Sequence, residues 1–518
     1  MTAVAGPKRS SSALAAATNI AGATTPAFPA ASGVPFEAAR RAILNGRPGV
    51  WFCAAGQVAL EPWIVATIYR DRLCWRDYSR ELEHGEPFEA AWSWADSFGL
   101  LQRLWDALAD GPAPVAAQQP ALPVWLAYEL GACLEPAVRR QPAQVRTAER
   151  RDDPLAGFLI PRAWATARTE TSHAHNLEAS REVGRRLWQV FATAVQSTAR
   201  CVPAITLVPS SPAPVAAPAP APAPVLTAER TEYLNAVARV QNYIRAGDVY
   251  QVNVTRRIPC RPAAPTVSTA SASTGDWFTA ILDRHPAQQA SFWSHIGAST
   301  SGTQHFLSFT PERLLSIQPM LRGNAGDGTT GLVQLHTSPI KGTRPRPPEA
   351  SPARLTELAN ELMADPKEQA ELNMIIDMAR NDLGRVARTG SVKVVSSGRI
   401  DPLPFVLHRV ADVTAEAATP LNLLSLLRAV FPGASVTGAP KIRAMQIIEE
   451  LESTPRGIYC GALGWLGHGY SADLALAIRT LEATDAGGTF GVGAGIVADS
   501  EPEREWQETV AKSRGIVE

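Results

Sequence analysis

Between Pro203 and Pro224 the chain runs through a proline- and alanine-rich stretch that ends in APAPAPAPV. Each proline there removes a backbone donor and holds an extended φ, so neither a long helix nor a central strand can pass through it. The chain therefore has to fold as two runs: an amino-terminal region, 36–202, and a carboxy-terminal region, 227–518, with 203–226 as a linker or surface loop. The first 35 residues (1–35) are rich in Ala, Ser, Thr and Pro without a continuous apolar stretch, and read as a disordered tail.

The amino-terminal region holds most of the tryptophans, in short apolar runs such as PGVWFCAAG and PVWLAYELG whose Gly and Pro boundaries predict strands. The carboxy-terminal region opens on a helical pattern, TEYLNAVARVQNYIRAGD, with Leu234, Val237, Val240 and Ile244 at three- and four-residue steps and Gly247 as the stop. Strands are predicted at VYQVNVTRRI, HFLSFT, GSVKVVS, GALGWLG, DLALAIRTL and GTFGVGAGIVA, and helices at 352–362, 366–380, 422–430, 440–452 and 502–516. Glycine-punctuated strands with peripheral helices and no regular βαβ alternation predict an α+β fold.

Composition narrows the function. Lysine plus arginine and aspartate plus glutamate number 49 each, so no global basic field favours nucleic acid or an anionic membrane, and a small-molecule substrate is expected. The six cysteines, at 53, 74, 133, 201, 260 and 460, form no CxxC pair and no zinc spacing, which predicts buried thiols in a reducing cytoplasm. Apolar runs such as Leu423 to Val430 are interrupted by Ser425 and Arg428 and fall far short of the ~20 residues of a membrane span.

Two predicted helices carry paired carboxylates. After Asp365-Pro366, a cap and a proline at the first helical position, Glu368 and Glu371 share one face; after Asp499-Ser500 and Pro502, Glu505 and Glu508 repeat the spacing, with Lys512 four residues on. Such faces are either solvated, with Glu508 and Lys512 an ordinary helix pair, or a magnesium site, since Mg²⁺ takes oxygen ligands and leaves positions for an anionic substrate. Thr437 and Gly438 in FPGASVTGAPK precede a helix beginning near Pro440, whose free N–H groups would point at a carboxylate. In GVGAGIV, Gly491, Gly493 and Gly495 alternate, which allows close approach of a ligand but does not match a dinucleotide fingerprint. Both segments also read as structural turns. In SPIKGTRPRP, Lys341 stands before Gly342 and Thr343, either as a surface lysine or as a desolvated amine able to attack as a nucleophile.

These segments resemble, in order across nearly all of 227–518, the chorismate-utilising enzymes: anthranilate, aminodeoxychorismate, isochorismate and salicylate synthase large subunits. The resemblance is carried by GDVYQVNVTRR, SFTPERLL, SPIKGTRPR, AELNMIIDMARNDLGRVARTGSVKV, PFVLHRVADV, FPGASVTGAPKIRAMQIIEELE, RGIYCGALGWLG, LALAIRTL and GVGAGIVADSEPEREWQET. It implies two antiparallel β-sheets forming a layered core flanked by helices. It also implies magnesium held directly by Glu371 and Glu508 with Glu368 and Glu505 nearby, and chorismate contacted by Tyr459, Arg479, Gly493, Ala494, Gly495, Lys512, Thr437 and Gly438. Arg479, with a fork suited to a planar carboxylate, is expected to take the enolpyruvyl carboxylate.

Within that family a lysine base stands where this chain has Gln251 when water is the nucleophile, and anthranilate synthases resemble PIAGT where this chain has PIKGT. The resemblance thus implies aminodeoxychorismate synthase chemistry. Lys341 would add to C2 with loss of the C4 hydroxyl, Glu312 in TPER would be the general acid, and His408 would support the site. Ammonia would then attack C4, giving 4-amino-4-deoxychorismate on the route to 4-aminobenzoate and folate. The alternatives are anthranilate synthase and a non-catalytic paralogue that binds chorismate or a partner. No cysteine lies in a GxCxG context, so a separate glutamine amidotransferase subunit is expected to supply ammonia; elimination of pyruvate is expected to fall to a separate lyase. The amino-terminal region resembles the family chiefly at VWLAYELGACLEPAV and lacks an LLES-like segment, so feedback inhibition by tryptophan is not expected.

Overall fold

The computed structural model describes residues 40–41, 43–44, 49–53, 57–77, 86–110, 122–138, 154–166, 183, 186–187, 189–195, 201–203, 223–260, 273–294, 304–321, 329–347, 349–403, 406–484, 487–514 and 516. The 1–35 tail and the glycine-rich 322–328 lie outside the described residues, as does 204–222 of the proline-rich stretch. The helix Ala223–Arg245 starts inside that stretch, so the last residues assigned to the linker are helical. Pro224 falls in its first turn, where a missing N–H leaves no bond unmade.

Two antiparallel sheets form the core, and they share one ladder. The long strand Gln57–Ile68 pairs along its length with Ala156–Thr166, with a register shift between Pro62 and Ile64. On its other edge the first half pairs with Gly49–Phe52 and the second half with Leu73–Asp77. From Gly49–Phe52 one sheet continues through Ser291–Ser294, His305–Ser308, Thr480–Thr484 and Gly487–Ile496 to Gln251–Cys260. From Ala156–Thr166 the other runs through Leu122–Leu126, Ala462–Leu466, Ala472–Leu476, Arg313–Leu321 and Thr329–Ser338 to Val406–Ala418. Each sheet thus joins strands from before the proline-rich stretch, nearest the shared ladder, to strands from after it, through the pairs Gly49–Phe52 with Ser291–Ser294 and Leu122–Leu126 with Ala462–Leu466. Large apolar side chains, among them Trp75, Trp105, Trp293, Phe158 and Phe278, fill the interior with almost no exposure, and their burial supplies the main driving force for closing the sheets together.

The predicted helices form at Pro352–Ala364, Pro366–Gly384, Leu423–Val430, Lys441–Leu451 and Pro502–Ser513. Asp365 caps the first acidic helix through the N–H groups of Lys367 and Glu368, with Pro366 in the first turn. The second acidic helix has Glu501 at its cap without a side-chain cap bond, and the Ser500 hydroxyl before it accepts from Val497 N–H. The predicted strand DLALAIRTL divides into Ala472–Leu476 and Thr480–Thr484. Between them the Arg479 backbone turns left-handed, at φ 49°. This break is held from outside the segment: Cys460 N–H donates to the Ala477 carbonyl and Phe309 N–H to that of Arg479.

Candidate active site

A cavity of about 620 Å³ opens between the glycine-rich strand Gly487–Ile496, the strand Ile340–Pro345, the turn at Arg479, the start of the first acidic helix and one face of the second, from Glu505 to Lys512. That volume suits a small organic ligand.

Lys341 enters it through a local irregularity. Ile340 and Thr343 pair with Val410 and His408, and the register shifts between them. Gly342 takes φ 94°, which a side-chain-bearing residue rarely adopts, and a Cβ there would stand 3.0 Å from Leu362 and 3.3 Å from Glu368. Lys341 lines the cavity with its side chain only 15% exposed, its Nζ 3.6 Å from Glu371 Oε2. It is therefore not an open-surface lysine.

Glu312 follows the Thr310-Pro311 turn and is buried, with its carbonyl accepting from Leu476 N–H. Its Oε1 accepts from the Ser435 hydroxyl at 2.6 Å. Burial pushes its carboxyl up to about 7 against the opposing pull of that bond and of the Lys341 charge, which leaves it able to carry a proton near neutrality. His408 is buried with Nδ1 2.9 Å from the Thr343 hydroxyl and Nε2 unpartnered. Burial, reinforced by the Arg479 charge, lowers it to about 4, so the ring is neutral. Burial likewise lowers the Arg479 pKa from its ordinary value.

Tyr459 and Lys512 complete the wall with Gly493 and Gly495. Tyr459 fits because Gly491 faces its ring: a Cβ on Gly491 would lie 2.2 Å from Tyr459 Cγ. Lys512 Nζ donates to the Gly493 carbonyl at 2.9 Å and pairs with Glu508 at 2.6 Å.

All four glutamates of the acidic helices line the same cavity. Glu368 meets Arg344 at 3.3 Å and Glu371 meets both Lys341 and, at 4.0 Å, Lys367. Burial and then the neighbouring Glu371 charge raise Glu368; Glu505 is raised by burial, with the Glu508 charge acting in the same direction. Among the described residues no three His, Cys, Asp or Glu groups already converge on one point as a metal site. The donor set nonetheless fits magnesium: it is oxygen only, comes from two helices onto one cavity, and carries like charges that a divalent ion would relieve.

Four residues picked from the sequence do not line the cavity. Ala494 faces the core. Thr437 donates its hydroxyl to the Gly433 carbonyl, and Gly438 pairs with Val252 so closely that a Cβ would meet the Gln251 carbonyl at 2.1 Å. The Thr437 and Ala439 carbonyls accept from Asn253 and Tyr250, and Lys441, which opens the following helix, pairs with Asp382 at 2.5 Å. Gln251 lies just behind the wall, fully buried with both polar atoms unpartnered, its Nε2 2.9 Å and Lys341 Nζ 3.3 Å from where a Cβ of Gly495 would stand. Sequence reading missed Asn253, Ser435 and Lys367, which all line the cavity. Ser435 lay inside a quoted motif, but only its bond to Glu312 marks it.

The sequence profile of the chorismate binding enzymes matches residues 70–518. Aminodeoxychorismate synthase component 1 of Escherichia coli (strain K12) is 38% identical over 288 residues, 56% of this chain and 57% of the relative. Anthranilate synthase component 1 of Streptomyces coelicolor is also 38% identical, over 295 residues, 56% of this chain and 52% of the relative. The chain thus spans little more than half the length of these relatives. In fold it is similar to anthranilate synthase component I from Streptococcus pneumoniae TIGR4, with a TM-score of 0.59 and 21% identity over 99% of this chain and 100% of the other.

Proposed function

The chain belongs to the chorismate binding enzyme family, and from that premise we propose that it aminates chorismate to 4-amino-4-deoxychorismate, using ammonia from a separate glutamine amidotransferase subunit. The observation that carries this reading is Lys341 itself, a lysine inside the cavity at the position that resembles the aminodeoxychorismate synthases, with Glu312 lining the same cavity. The words "component 1" in the relatives' names fit a two-subunit enzyme.

In this mechanism Lys341 first gives up to solvent the proton it carries beside Glu371; its amine then bonds to C2, both ring double bonds shift, and the C4–O bond breaks as Glu312 gives its proton to the departing hydroxyl. Ammonia then bonds to C4, the electrons shift back, and the bond from C2 to Lys341 breaks, returning the free amine. Arg479 binds the enolpyruvyl carboxylate through its fork, and Tyr459 and Lys512 hold the ring in place. A magnesium ion at Glu371 and Glu508, supported by Glu368 and Glu505, would offset the charge of the ring carboxylate. Neutral His408 orients Thr343 beside Lys341.

The equal identity to an anthranilate synthase supports a second reading, amination at C2 with release of anthranilate. One experiment separates them: incubate the chain with chorismate, magnesium and ammonium, add an aminodeoxychorismate lyase, and resolve the products by chromatography. 4-Aminobenzoate is expected. Anthranilate formed without the lyase replaces the first reading by the second, and unconsumed chorismate overturns both.

A further inference from the structure

Behind Glu312 lies a second, small cavity of about 30 Å³. Glu312 and Ser435 line both cavities, and the two side chains are joined by the 2.6 Å hydrogen bond from the Ser435 hydroxyl to Glu312 Oε1. Another wall is the second half of the first acidic helix, with Ala379 and Asp382. Asp382 is buried and accepts from Lys441 Nζ at 2.5 Å, and the two side chains keep 12% and 13% exposure. Both residues belong to motifs, RNDLGR and TGAPK, that the proposed chemistry leaves without a role.

We propose that this small cavity holds a water relay through which Glu312 regains its proton from the Asp382–Lys441 pair, away from the substrate. A water needs roughly 10–15 Å³ and two or more polar partners, so the cavity has room for about two. Glu312, Ser435, Thr337 and Asp382 supply the polar lining. Arg313 also lines it, but its guanidinium is held by Asp473 through bonds of 2.9 and 3.1 Å. That leaves Asp382 with Lys441 as the ionic pair.

The inference rests on the reading of Glu312 as the acid that protonates the departing hydroxyl. Each turnover then leaves Glu312 as a buried carboxylate that must be reprotonated, while substrate fills the larger cavity. In the relay a proton passes from the pair through the waters to Glu312, and the pair recovers one from solvent at its exposed edge. The count closes, because the nitrogen that arrives as ammonia releases one proton to solvent as it becomes the product amine. Asp382 and Lys441 are positioning residues here, acting on substrate only through Glu312.

The test compares wild type with Asp382→Asn, which keeps the shape but cannot carry the proton, and with Ala379→Val, which fills the cavity without touching either charge. Steady-state chorismate consumption with ammonium is measured in H₂O and D₂O. Both variants are expected to lose about 10- to 100-fold in kcat while KM for chorismate stays within about twofold, and to show a larger solvent isotope effect than wild type. Asp382→Glu should recover part of the loss. Wild-type kcat and isotope effect in Ala379→Val overturn the relay, even if Asp382→Asn is too unstable to assay. A wild-type enzyme that leaves chorismate unconsumed overturns the reading of the reaction, and the relay with it.

Discussion

Lys341 Nζ and Glu371 Oε2 stand 3.6 Å apart, joining a short strand to the first acidic helix inside the cavity, with both side chains more than four-fifths buried. The proposed nucleophile and a proposed metal ligand are thus in direct ionic contact. Replacing Lys341 by Ala should abolish formation of 4-amino-4-deoxychorismate, with anthranilate as the product of any residual turnover. Chromatography of the reaction mixture checks this, and undiminished 4-aminobenzoate after addition of the lyase would remove Lys341 as nucleophile.

Glu371→Gln and Glu508→Gln should each weaken magnesium binding. Titration calorimetry with magnesium alone reads this without turnover, and chorismate affinity should fall with it. If both variants keep wild-type magnesium affinity, the two acidic helices are not the metal site.

Glu312 acts as an acid only while protonated, and burial places its pKa near 7. The pH profile of kcat/KM should therefore fall on the alkaline side of about 7. Glu312→Gln should lower kcat by about 100- to 10,000-fold, the usual range for a lost general acid, and remove that limb. A falling limb that persists unchanged in the variant would assign it to another group.

His408 bears on stability. Its folded pKa, about 4, lies below the ordinary 6.5, first because of burial and then because of the Arg479 charge. The unfolded chain therefore binds more protons between these values, and stability contributed by the neutral ring is present above 6.5 and lost as pH falls toward 4. The loss amounts to about 3 kcal/mol at its limit. Denaturant unfolding between pH 7 and 4 should show a shallower acid loss in His408→Gln than in wild type, and equal slopes would contradict the assignment.

Much of this site was legible because it is local. The acidic helices follow from Asp365, two prolines and glutamates three apart, each set within about two turns of chain. The residues around Lys341 and Glu312 were legible through resemblance, not through spacing. What was misread depended on contacts from elsewhere. DLALAIRTL has the pattern of one strand, and the bonds from Cys460 and Phe309 that break it at Arg479 come from distant segments. The turn before Lys441 pairs through Gly438 and Ala439 with the distant Gln251 strand, a contact its own window does not show.

By itself the sequence determined which chemical groups are present, which helices form, and that no basic field or zinc spacing exists, because these depend on residue identity and on neighbours within a few positions. The tertiary structure alone decided that Lys341, Glu312, Arg479, His408 and the four glutamates share one cavity, that Gln251 lies behind its wall, and that Glu312 is buried enough to hold a proton near neutrality. Those properties arise when two sheets close on a common ladder and remove water from side chains hundreds of residues apart. Desolvation and long-range pairing have no signature in any short window of chain.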